Sequence, residues 1–288
     1  MDTTQHDFIK ETIDLLQAQA IDPALSKGAP GALLPDRNEI TRLLRDLQTL
    51  LFPRFFPHPR VDTPREMLDN VQRRLMEQVA LALPFGEPFG CDAHCVGERF
   101  ITKLPEIKSM LLKDAQAIYY GDPAARNIEE IILCYPGFYG TLVYRLAHEL
   151  YRLHVPLIPR IMTEYAHAKT GIDIHSGATI GEYFCIDHGT GVVIGETTVI
   201  GDHVKLYQGV TLGAKSFELD ADGNPVKGIR RHPHIGRHVV IYSGASILGG
   251  DTYIGDNCVI GGNVWITSSV PENTMVFYNG TATEQRQL

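Results

Sequence analysis

From Gly171 onward, aliphatic residues recur six positions apart along the chain. They stand at positions 174, 180, 186, 194, 200, 206, 212, 235, 241, 247, 254, 260 and 266, and glycine often follows directly. A six-residue unit provides one short strand and one turn, so it cannot bury its single aliphatic side chain alone. Successive units must therefore stack on one another. The spacing predicts a β-solenoid shaped as a triangular prism, with three units to each rung and the aliphatic side chains on the axis.

Three interruptions in this spacing mark places where the chain leaves the wall of the prism. Two residues are added between 186 and 194, a long excursion separates 212 from 235, and one residue is added between 247 and 254. Inserted residues collect on the outside of such a wall. The first two interruptions hold most of the histidine and basic residues of this half, so we expect the functional site there.

The first interruption contains Asp187 and His188. We expect the added residues to bulge the wall so that both side chains project outward. Imidazole titrates near neutral pH, which makes histidine the natural general base. Asp173 lies one rung earlier, 15 residues before His188, where its carboxylate would orient the imidazole. The alternative is a corner turn made by Asp173 and an ordinary surface position for His188.

The second interruption is an excursion of 22 residues, from 213 to 234, and is longer than a corner requires. Between Lys215 and Arg237 the chain holds five basic and three acidic residues. Because the whole chain has a net charge of −8, this local positive charge is suited to a phosphate or a carboxylate. We expect the excursion to lean over a site, and a solvated loop is the alternative.

The first half of the chain has helical spacing instead. Between Ile40 and Leu51 the aliphatic residues fall on one face, at intervals of three and four. Asp36 and the segment Thr63–Glu66 carry helix-start signals. Further helices are predicted over about 98–120, 127–135, 138–154 and 158–169. We therefore expect a helical domain over 1–170, a solenoid domain over 171–272 that carries the loop 213–234, and a short tail over 273–288.

Composition and charge argue against several classes of protein. A net charge of −8 does not suit a nucleic-acid-binding protein, whose basic face must neutralise phosphates. The N-terminus has no signal-peptide pattern and no uncharged apolar run reaches membrane-spanning length, so we expect a cytoplasmic protein without membrane contact. The five cysteines form no disulfide framework, and we expect reduced thiols. Cys91, His94 and Cys95 could supply half of a metal site, but no second cluster follows them.

The solenoid half contains Asp173-Ile-His, Asp187-His-Gly-Thr-Gly, Gln208-Gly-Val-Thr-Leu-Gly and Arg231-His-Pro, in that order. These segments and their spacing resemble the serine O-acetyltransferases, a family of hexapeptide-repeat acyltransferases. The resemblance implies an α+β fold, in which an N-terminal α-helical domain is followed by a left-handed parallel β-helix of hexapeptide repeats. It also implies transfer of the acetyl group of acetyl-CoA to the hydroxyl of L-serine, which gives O-acetyl-L-serine and CoA in cysteine biosynthesis.

The resemblance also implies roles for individual residues. At the reaction centre it implies His188 as the general base and Asp173 as its orienting partner, in a direct transfer without a metal. The positions implied for serine are Asp122 and Asp187 on its ammonium and Arg231 and His232 on its carboxylate. The positions implied for acetyl-CoA are Ala214, Lys215, Ser243 and Gly262.

The family places its site between neighbouring prisms, so the resemblance implies a homotrimer or a dimer of trimers. Family members that bind O-acetylserine sulfhydrylase do so through an extended tail that ends in isoleucine. This chain instead ends in Asn279-Gly-Thr-Ala-Thr-Glu-Gln-Arg-Gln-Leu288. We therefore expect no complex with the sulfhydrylase.

The residues alone leave three other interpretations open. Zinc-dependent hydration chemistry would need three of the histidines at 188, 203, 232 and 234 to converge on one ion. A sugar or antibiotic hydroxyl could replace serine, because the same base would serve it. A solenoid without catalytic function would have no reason to hold Asp173, Asp187 and His188 together at the bulge.

Overall fold

The computed structural model describes residues 3–19, 25–29, 31–57 and 63–278. The predicted tail lies outside these described residues from position 279 onward, and so does the end of the chain on which the sulfhydrylase expectation depends. The described ranges hold seven α-helices, followed by fourteen short β-strands. Within these ranges, no helix is both long enough and apolar enough to cross a bilayer.

The helices come before position 171. They are α1 (Thr3–Ala18), α2 (Arg37–Leu51), α3 (Pro64–Ala82), α4 (Ala93–Gly121), α5 (Ile128–Cys134), α6 (Pro136–Arg152) and α7 (Ile158–Thr170), with one 3₁₀ turn at Leu83–Phe85. Two predicted helix starts are confirmed. Asp36 accepts a hydrogen bond from the Asn38 amide at 2.7 Å, and Thr63 and Glu66 form a reciprocal capping box at the start of α3. Each cap satisfies backbone amides that have no partner within the helix, which stabilises it by about 1 kcal/mol.

The expectation of reduced thiols is wrong for two of the cysteines. Cys91 and Cys95 form a disulfide. Cys91 directly precedes Asp92, the N-cap residue of α4, and Cys95 lies in the first turn of that helix. The helical turn brings the two Cα atoms to 5.6 Å, which is within the range that a disulfide requires. The two sulfurs are therefore bonded to each other and do not form the half metal site considered above.

The strands are two or three residues long and form three parallel sheets. They are β1 (Asp173–Ile174), β2 (Thr179–Ile180), β3 (Cys185–Ile186), β4 (Val193–Ile194), β5 (Val199–Ile200), β6 (Lys205–Leu206), β7 (Thr211–Gly213), β8 (His234–Ile235), β9 (Val240–Ile241), β10 (Ser246–Leu248), β11 (Tyr253–Ile254), β12 (Val259–Ile260), β13 (Trp265–Ile266) and β14 (Met275–Val276). From β1 to β13, successive strands fall on successive sheets, and β14 then joins the third sheet. The orders are β1-β4-β7-β10-β13, β2-β5-β8-β11 and β3-β6-β9-β12-β14. The predicted fold class is confirmed: helices precede a triangular parallel β-helix, consistent with the left-handed form.

Alternation within each strand directs one side chain to the axis and its neighbour outward. From β1 to β13 the second residue of every strand is the predicted aliphatic residue, and each is buried. The register stacks these residues directly on one another, as Ile174 on Ile194 and Ile194 on Leu212. Burying one such side chain contributes about 1.5–3 kcal/mol. The stack therefore fixes the positions of the outward side chains and of the corners.

The helical domain is fixed to the first rungs of the prism by a buried ion pair. Arg145 of α6 donates two hydrogen bonds to Asp114 of α4, at 2.5 and 2.8 Å, and a third to the carbonyl of Gly181 at 2.8 Å. Asp114 also accepts a hydrogen bond from the Phe184 amide at 2.9 Å. These bonds hold α4 against the turn before β3. They bring Asp122, which ends α4, to the corner that follows β3.

Replacement of Asp114 by alanine should lower the free energy of unfolding by about 3–5 kcal/mol, because the Arg145 guanidinium is then buried without its counter-ion. Urea unfolding followed by far-UV circular dichroism measures this. The matched control is Glu77→Ala, which removes an exposed pair with Arg73 one helical turn away and should cost about 0.5 kcal/mol or less. Equal effects of the two replacements would contradict the structural role of Asp114.

Candidate active site

The corner after β3 carries the first interruption of the repeat. His188 and Gly189 have positive φ angles of 58° and 93°, a left-handed conformation that turns the chain sharply. The His188 side chain is 73% exposed and so projects outward, as predicted. Asp187 does not: its side chain is only 9% exposed, with Oδ1 at 3.7 Å from His188 Nε2. Asp187 folds back because its other oxygen pairs with Lys205 at 2.9 Å.

Asp122 reaches the same corner from the helical domain. One of its oxygens accepts a hydrogen bond from the Ala124 amide at 2.8 Å, and the other accepts one from the Tyr135 hydroxyl at 2.7 Å. Burial opposes the charged form of Asp122, but these hydrogen bonds, with Lys205 and His188 nearby, outweigh it and lower the pKa of Asp122. The same hydrogen bond raises the pKa of Tyr135 to about 12. Asp122 is therefore held in place as a carboxylate.

Lys205 joins Asp187 to the end of α4, although no sequence motif singles it out. It occupies the outward position of β6, in register with Cys185 of β3. Its Nζ donates to the carbonyl of Gly121 at 2.6 Å, lies 2.9 Å from Asp187, and lies 4.3 Å from the centre of the Tyr207 ring. A lysine at an outward position, one rung after an aspartate, was the available signal. The contact with Gly121 could not be read from the sequence.

Arg231 and His232 end the excursion that precedes β8. In space they pack against another corner of the prism, the one between β4 and β5. Thr197 Oγ1 accepts hydrogen bonds from both of their backbone amides, at 3.0 and 3.1 Å. The Arg231 guanidinium lies 2.6 Å from a Glu196 oxygen. The His232 ring is buried against Gly195, where an added Cβ would lie 2.1 Å from Nε2. Of this pair, Arg231 is the more available to a substrate.

His232 is neutral at neutral pH. Burial, together with the charge of Arg231, lowers its pKa to about 4. Its Nδ1 accepts a hydrogen bond from the Thr197 amide at 3.1 Å. The proton of the neutral ring is therefore on Nε2.

Asp173 lies at the start of β1, in register with Val193, and no hydrogen bond or ion pair joins it to His188. Its nearest cation is Arg160 of α7, at 4.0 Å, and Arg160 also pairs with Glu164. Asp173, Glu164 and His167 have ligand atoms within 4.8 Å of one another. Half-buried His175 is within electrostatic reach of Asp173, Arg160, Glu196 and Arg231.

The predicted residues thus fall into two groups within one chain. The first, here called the base group, consists of Asp122, Asp187, His188 and Lys205. The second, here called the arginine group, consists of Asp173, Glu196, Arg231 and His232. Among the described residues, no hydrogen bond or ion pair links a member of one group to a member of the other. The predicted pairing of Asp173 with His188 is not formed inside a single chain.

The four residues expected to bind acetyl-CoA also fall into two separate pairs within one chain. Ser243 and Gly262 lie on neighbouring rungs before β10 and β13, and an added Cβ on Gly262 would lie 3.0 Å from the Ser243 carbonyl oxygen. Ala214 and Lys215 directly follow β7, at the other end of the strands of the same sheet. Lys215 lines a cavity of about 460 Å³ together with Arg230 and Asp251. The two pairs therefore lie along opposite edges of one face.

The excursion 213–234 folds as a small hairpin closed by an antiparallel bridge between Leu219 and Pro225. Asp220 holds its turn by accepting hydrogen bonds from the Asp222 and Asn224 amides at 3.0 and 2.8 Å. A cavity of about 920 Å³ lies between this hairpin and the prism. Its lining includes Phe217, Asp220, Lys227, Glu196 and Arg231. The excursion therefore leans over the arginine group.

The four histidines considered for zinc have separate surroundings. His188 lies beside Asp187, and His232 contacts Thr197. His203 is stacked between Tyr183 and His238, with ring centres at 4.4 and 4.7 Å. His234 packs against Tyr253. Their distinct neighbours do not form the three-histidine centre that the zinc hypothesis requires within a chain.

A parallel β-helix of hexapeptide repeats, with an exposed histidine beside a carboxylate at a bulged corner, is the arrangement expected of a hexapeptide-repeat acyltransferase. No family model matches the chain. A plasmid-encoded serine acetyltransferase of Synechococcus elongatus is 46% identical over 260 residues, which cover 84% of this chain and 81% of that protein. A serine acetyltransferase of Helicobacter pylori is 47% identical over 150 residues, 52% of this chain and 82% of that protein.

Solved structures agree with the sequence relatives. Serine acetyltransferase 1 of Entamoeba histolytica, in complex with L-cysteine, superposes with a TM-score of 0.74 and 40% identity, over 82% of this chain and 86% of that one. The native form of that enzyme gives a TM-score of 0.73 with 36% identity, over 93% and 96% of the two chains. The chain belongs to the serine acetyltransferase family.

His232 should make the stability of the protein depend on pH. Its pKa is about 4, against the ordinary value of 6.5, so its neutral form stabilises the fold at neutral pH and this contribution is lost as pH falls from about 6.5 to about 4. We expect the His232→Gln variant to lose less stability than the parent protein as the pH falls. The measurement is the urea midpoint of both proteins at pH 7 and pH 5. Identical losses in the variant and the parent protein would contradict the assignment.

Proposed function

We propose that the protein transfers the acetyl group of acetyl-CoA to the hydroxyl of L-serine, with His188 as the general base. Membership of the serine acetyltransferase family supports the reaction. The observation that supports the base is its placement: His188 is exposed at the bulge of an otherwise regular wall, with Asp187 at 3.7 Å. An exposed imidazole can reach a hydroxyl, and a neighbouring carboxylate favours the protonated ring that forms during the reaction.

The transfer proceeds in one displacement at the acetyl carbon. The His188 imidazole takes the proton of the serine hydroxyl while the serine oxygen attacks the thioester carbonyl. The new C–O bond forms, the C–S bond breaks, and the proton passes from the imidazole to the departing CoA thiolate. General-base assistance of this kind contributes about 10²–10⁴-fold. The rest comes from holding the two substrates together in the correct orientation.

Asp122 and Asp187 form the ammonium subsite for serine. Both carboxylates lie at the His188 corner, and each is held by hydrogen bonds to neighbouring groups. Two fixed carboxylates beside the base would place the serine hydroxyl within its reach. The L-cysteine bound to the Entamoeba histolytica relative supports a pocket for an amino acid of this size, rather than a sugar.

The serine carboxylate is held by Arg231 of a neighbouring copy, at a corner that His232 supports. The division of the residues into two groups supports this arrangement, since the base group lies at the corner after β3 and Arg231 packs at the corner after β4. In a ring of three copies, the corner after β3 of one prism would face the corner after β4 of the next. The same arrangement would bring Asp173 of that copy to His188.

Acetyl-CoA lies in the same groove between copies. Ser243 and Gly262 are small residues on one edge of the face, where the pantetheine arm can approach the backbone. Ala214 and Lys215 of the neighbouring copy supply the facing edge. Each homotrimer, alone or as half of a hexamer, therefore forms three complete sites, whereas a monomer forms none.

Replacement of His188 by alanine should reduce kcat by about 10²-fold or more, because the transfer then loses its general base. Release of thiol from acetyl-CoA in the presence of L-serine measures the rate. The matched control is His203→Ala, another exposed corner histidine with a positive φ, which should keep kcat within about twofold. Turnover by the His188 variant at the level of the parent protein would refute the assignment of the base.

The acceptor itself is tested by the same assay with a panel of hydroxyl compounds. L-Serine should support thiol release at a much higher kcat/KM than D-serine, sugars or aminoglycosides, because only L-serine presents an ammonium and a carboxylate to both groups. A sugar that exceeds L-serine would overturn the proposed acceptor while leaving the acyltransferase class intact.

A further inference from the structure

Lys205 has no proposed contact with serine or with acetyl-CoA, yet it lies at the centre of the base group. Its side chain is only 13% exposed, an unusual position for a lysine unless it is paired. Its Nζ contacts the carbonyl of Gly121 from the helical domain, at 2.6 Å, and Asp187 from the prism, at 2.9 Å. A single cation therefore joins the two elements that carry the ammonium subsite.

We propose that Lys205 is a positioning residue for serine, which fixes Asp187 relative to Asp122 and offsets one of their two negative charges. The inference rests on the proposed function, because it concerns the subsite that would receive the serine ammonium. Lys205 touches neither the substrate nor the reacting atoms in this account. It acts through Asp187 and through the backbone that carries Asp122.

The charges of the subsite support this role. Asp122 and Asp187 carry two negative charges, and Lys205 carries one positive charge, so one unit of negative charge is left to match one ammonium. Burial works against the charged lysine, but its interactions with Tyr207 and Asp187 outweigh burial and raise its pKa, so it stays protonated. Without Lys205, nearly buried Asp187 would lose its ion-pair partner, and such a carboxylate is costly to keep in place.

Loss of the Lys205 charge would also change the electrostatic surroundings of His188. Two carboxylates act on His188 directly: Asp187 lies beside its ring, and Asp122 at the end of α4 is within electrostatic reach. Tyr135 is hydrogen-bonded to Asp122, and Lys205 of β6 is paired with Asp187. Lys205 is the cation in this set. Its removal would leave two carboxylates beside the imidazole, and nearby negative charge favours the protonated ring. We therefore expect the acid limb of the activity profile of such a variant to lie at higher pH.

A purely structural role makes different predictions, and the chain contains a lysine for the comparison. Lys113 of α4 also joins the helical domain to the prism, through Glu182 at 2.6 Å and the Tyr183 ring at 5.8 Å. It is 32% exposed and has no contact with the base group. Loss of a domain contact alone should therefore have the same consequences at position 113 as at position 205.

The experiment compares Lys205→Met, Lys205→Gln and Lys205→Arg with Lys113→Met in the full-length protein. Steady-state rates are measured against L-serine and against acetyl-CoA from pH 6 to pH 9, with thermal unfolding alongside. For Lys205→Met and Lys205→Gln we expect kcat/KM for serine to fall about tenfold or more, with KM for acetyl-CoA within about twofold. The acid limb of the kcat/KM profile should move up by about half a pH unit or more.

Lys205→Arg keeps the charge, so its acid limb should match that of the parent protein. Lys113→Met should change neither the serine KM nor the acid limb. If Lys205→Met does not fold, the comparison of Lys205→Gln with Lys205→Arg decides the question. An unshifted acid limb and an unchanged serine KM in the uncharged variants, with at most a lower unfolding temperature, would overturn the proposal. A parent protein inactive with L-serine would instead refute the proposed function itself.

Discussion

The burial of one aliphatic side chain in every six residues is the constraint on which the rest of this structure depends. Because those side chains stack in register along the axis, every outward residue is held at a fixed height and on a known face. Neighbouring rungs are separated by about 4.8 Å, the spacing of paired strands. Side chains on successive rungs, such as Asp187 and Lys205, can therefore make direct contacts. The prism acts as a rigid frame for the functional groups at its corners.

The fold could be predicted largely from the sequence because its signals are local and repeated. The aliphatic positions matched the buried second residue of thirteen strands, and the helix starts at Asp36 and Thr63 depend on residues only a few positions apart. The disulfide was missed because the five cysteines form no framework in the sequence, and Cys91 and Cys95 were considered together only as half of a metal site. Their approach depends on where helix α4 begins, and the sequence alone predicted that start some five residues too late.

The candidate site was predicted only in part, since it depends on contacts between distant segments. The bulge identified His188 correctly as an outward residue. The same expectation was wrong for Asp187, which turns inward because Lys205 on the next rung holds it. Lys205, Tyr135 and the buried pair of Arg145 with Asp114 carry no motif of their own. Each becomes visible only when the helical domain is docked on the prism.

The separation of the base group from the arginine group connects the fold with the proposed chemistry. Serine carries an ammonium and a carboxylate, and each group of residues can neutralise one of them. The groups lie at different corners, which supports the proposal that two copies of the chain form each serine site. This explains why a hexapeptide prism, whose corners repeat identically in each copy, is a suitable frame for such an enzyme.

The most direct test of this account mixes two variants, His188→Ala and Arg231→Ala, each nearly inactive alone. Co-expressed copies should form mixed oligomers, in which a base from one variant meets an arginine from the other. With random assembly, roughly a quarter of the sites should be intact, because each site uses a defined pair of adjacent copies. We therefore expect the mixture to recover on the order of a quarter of the parent activity. No recovery in oligomers shown to contain both variants, or full activity of a monomer in light scattering, would contradict the shared site.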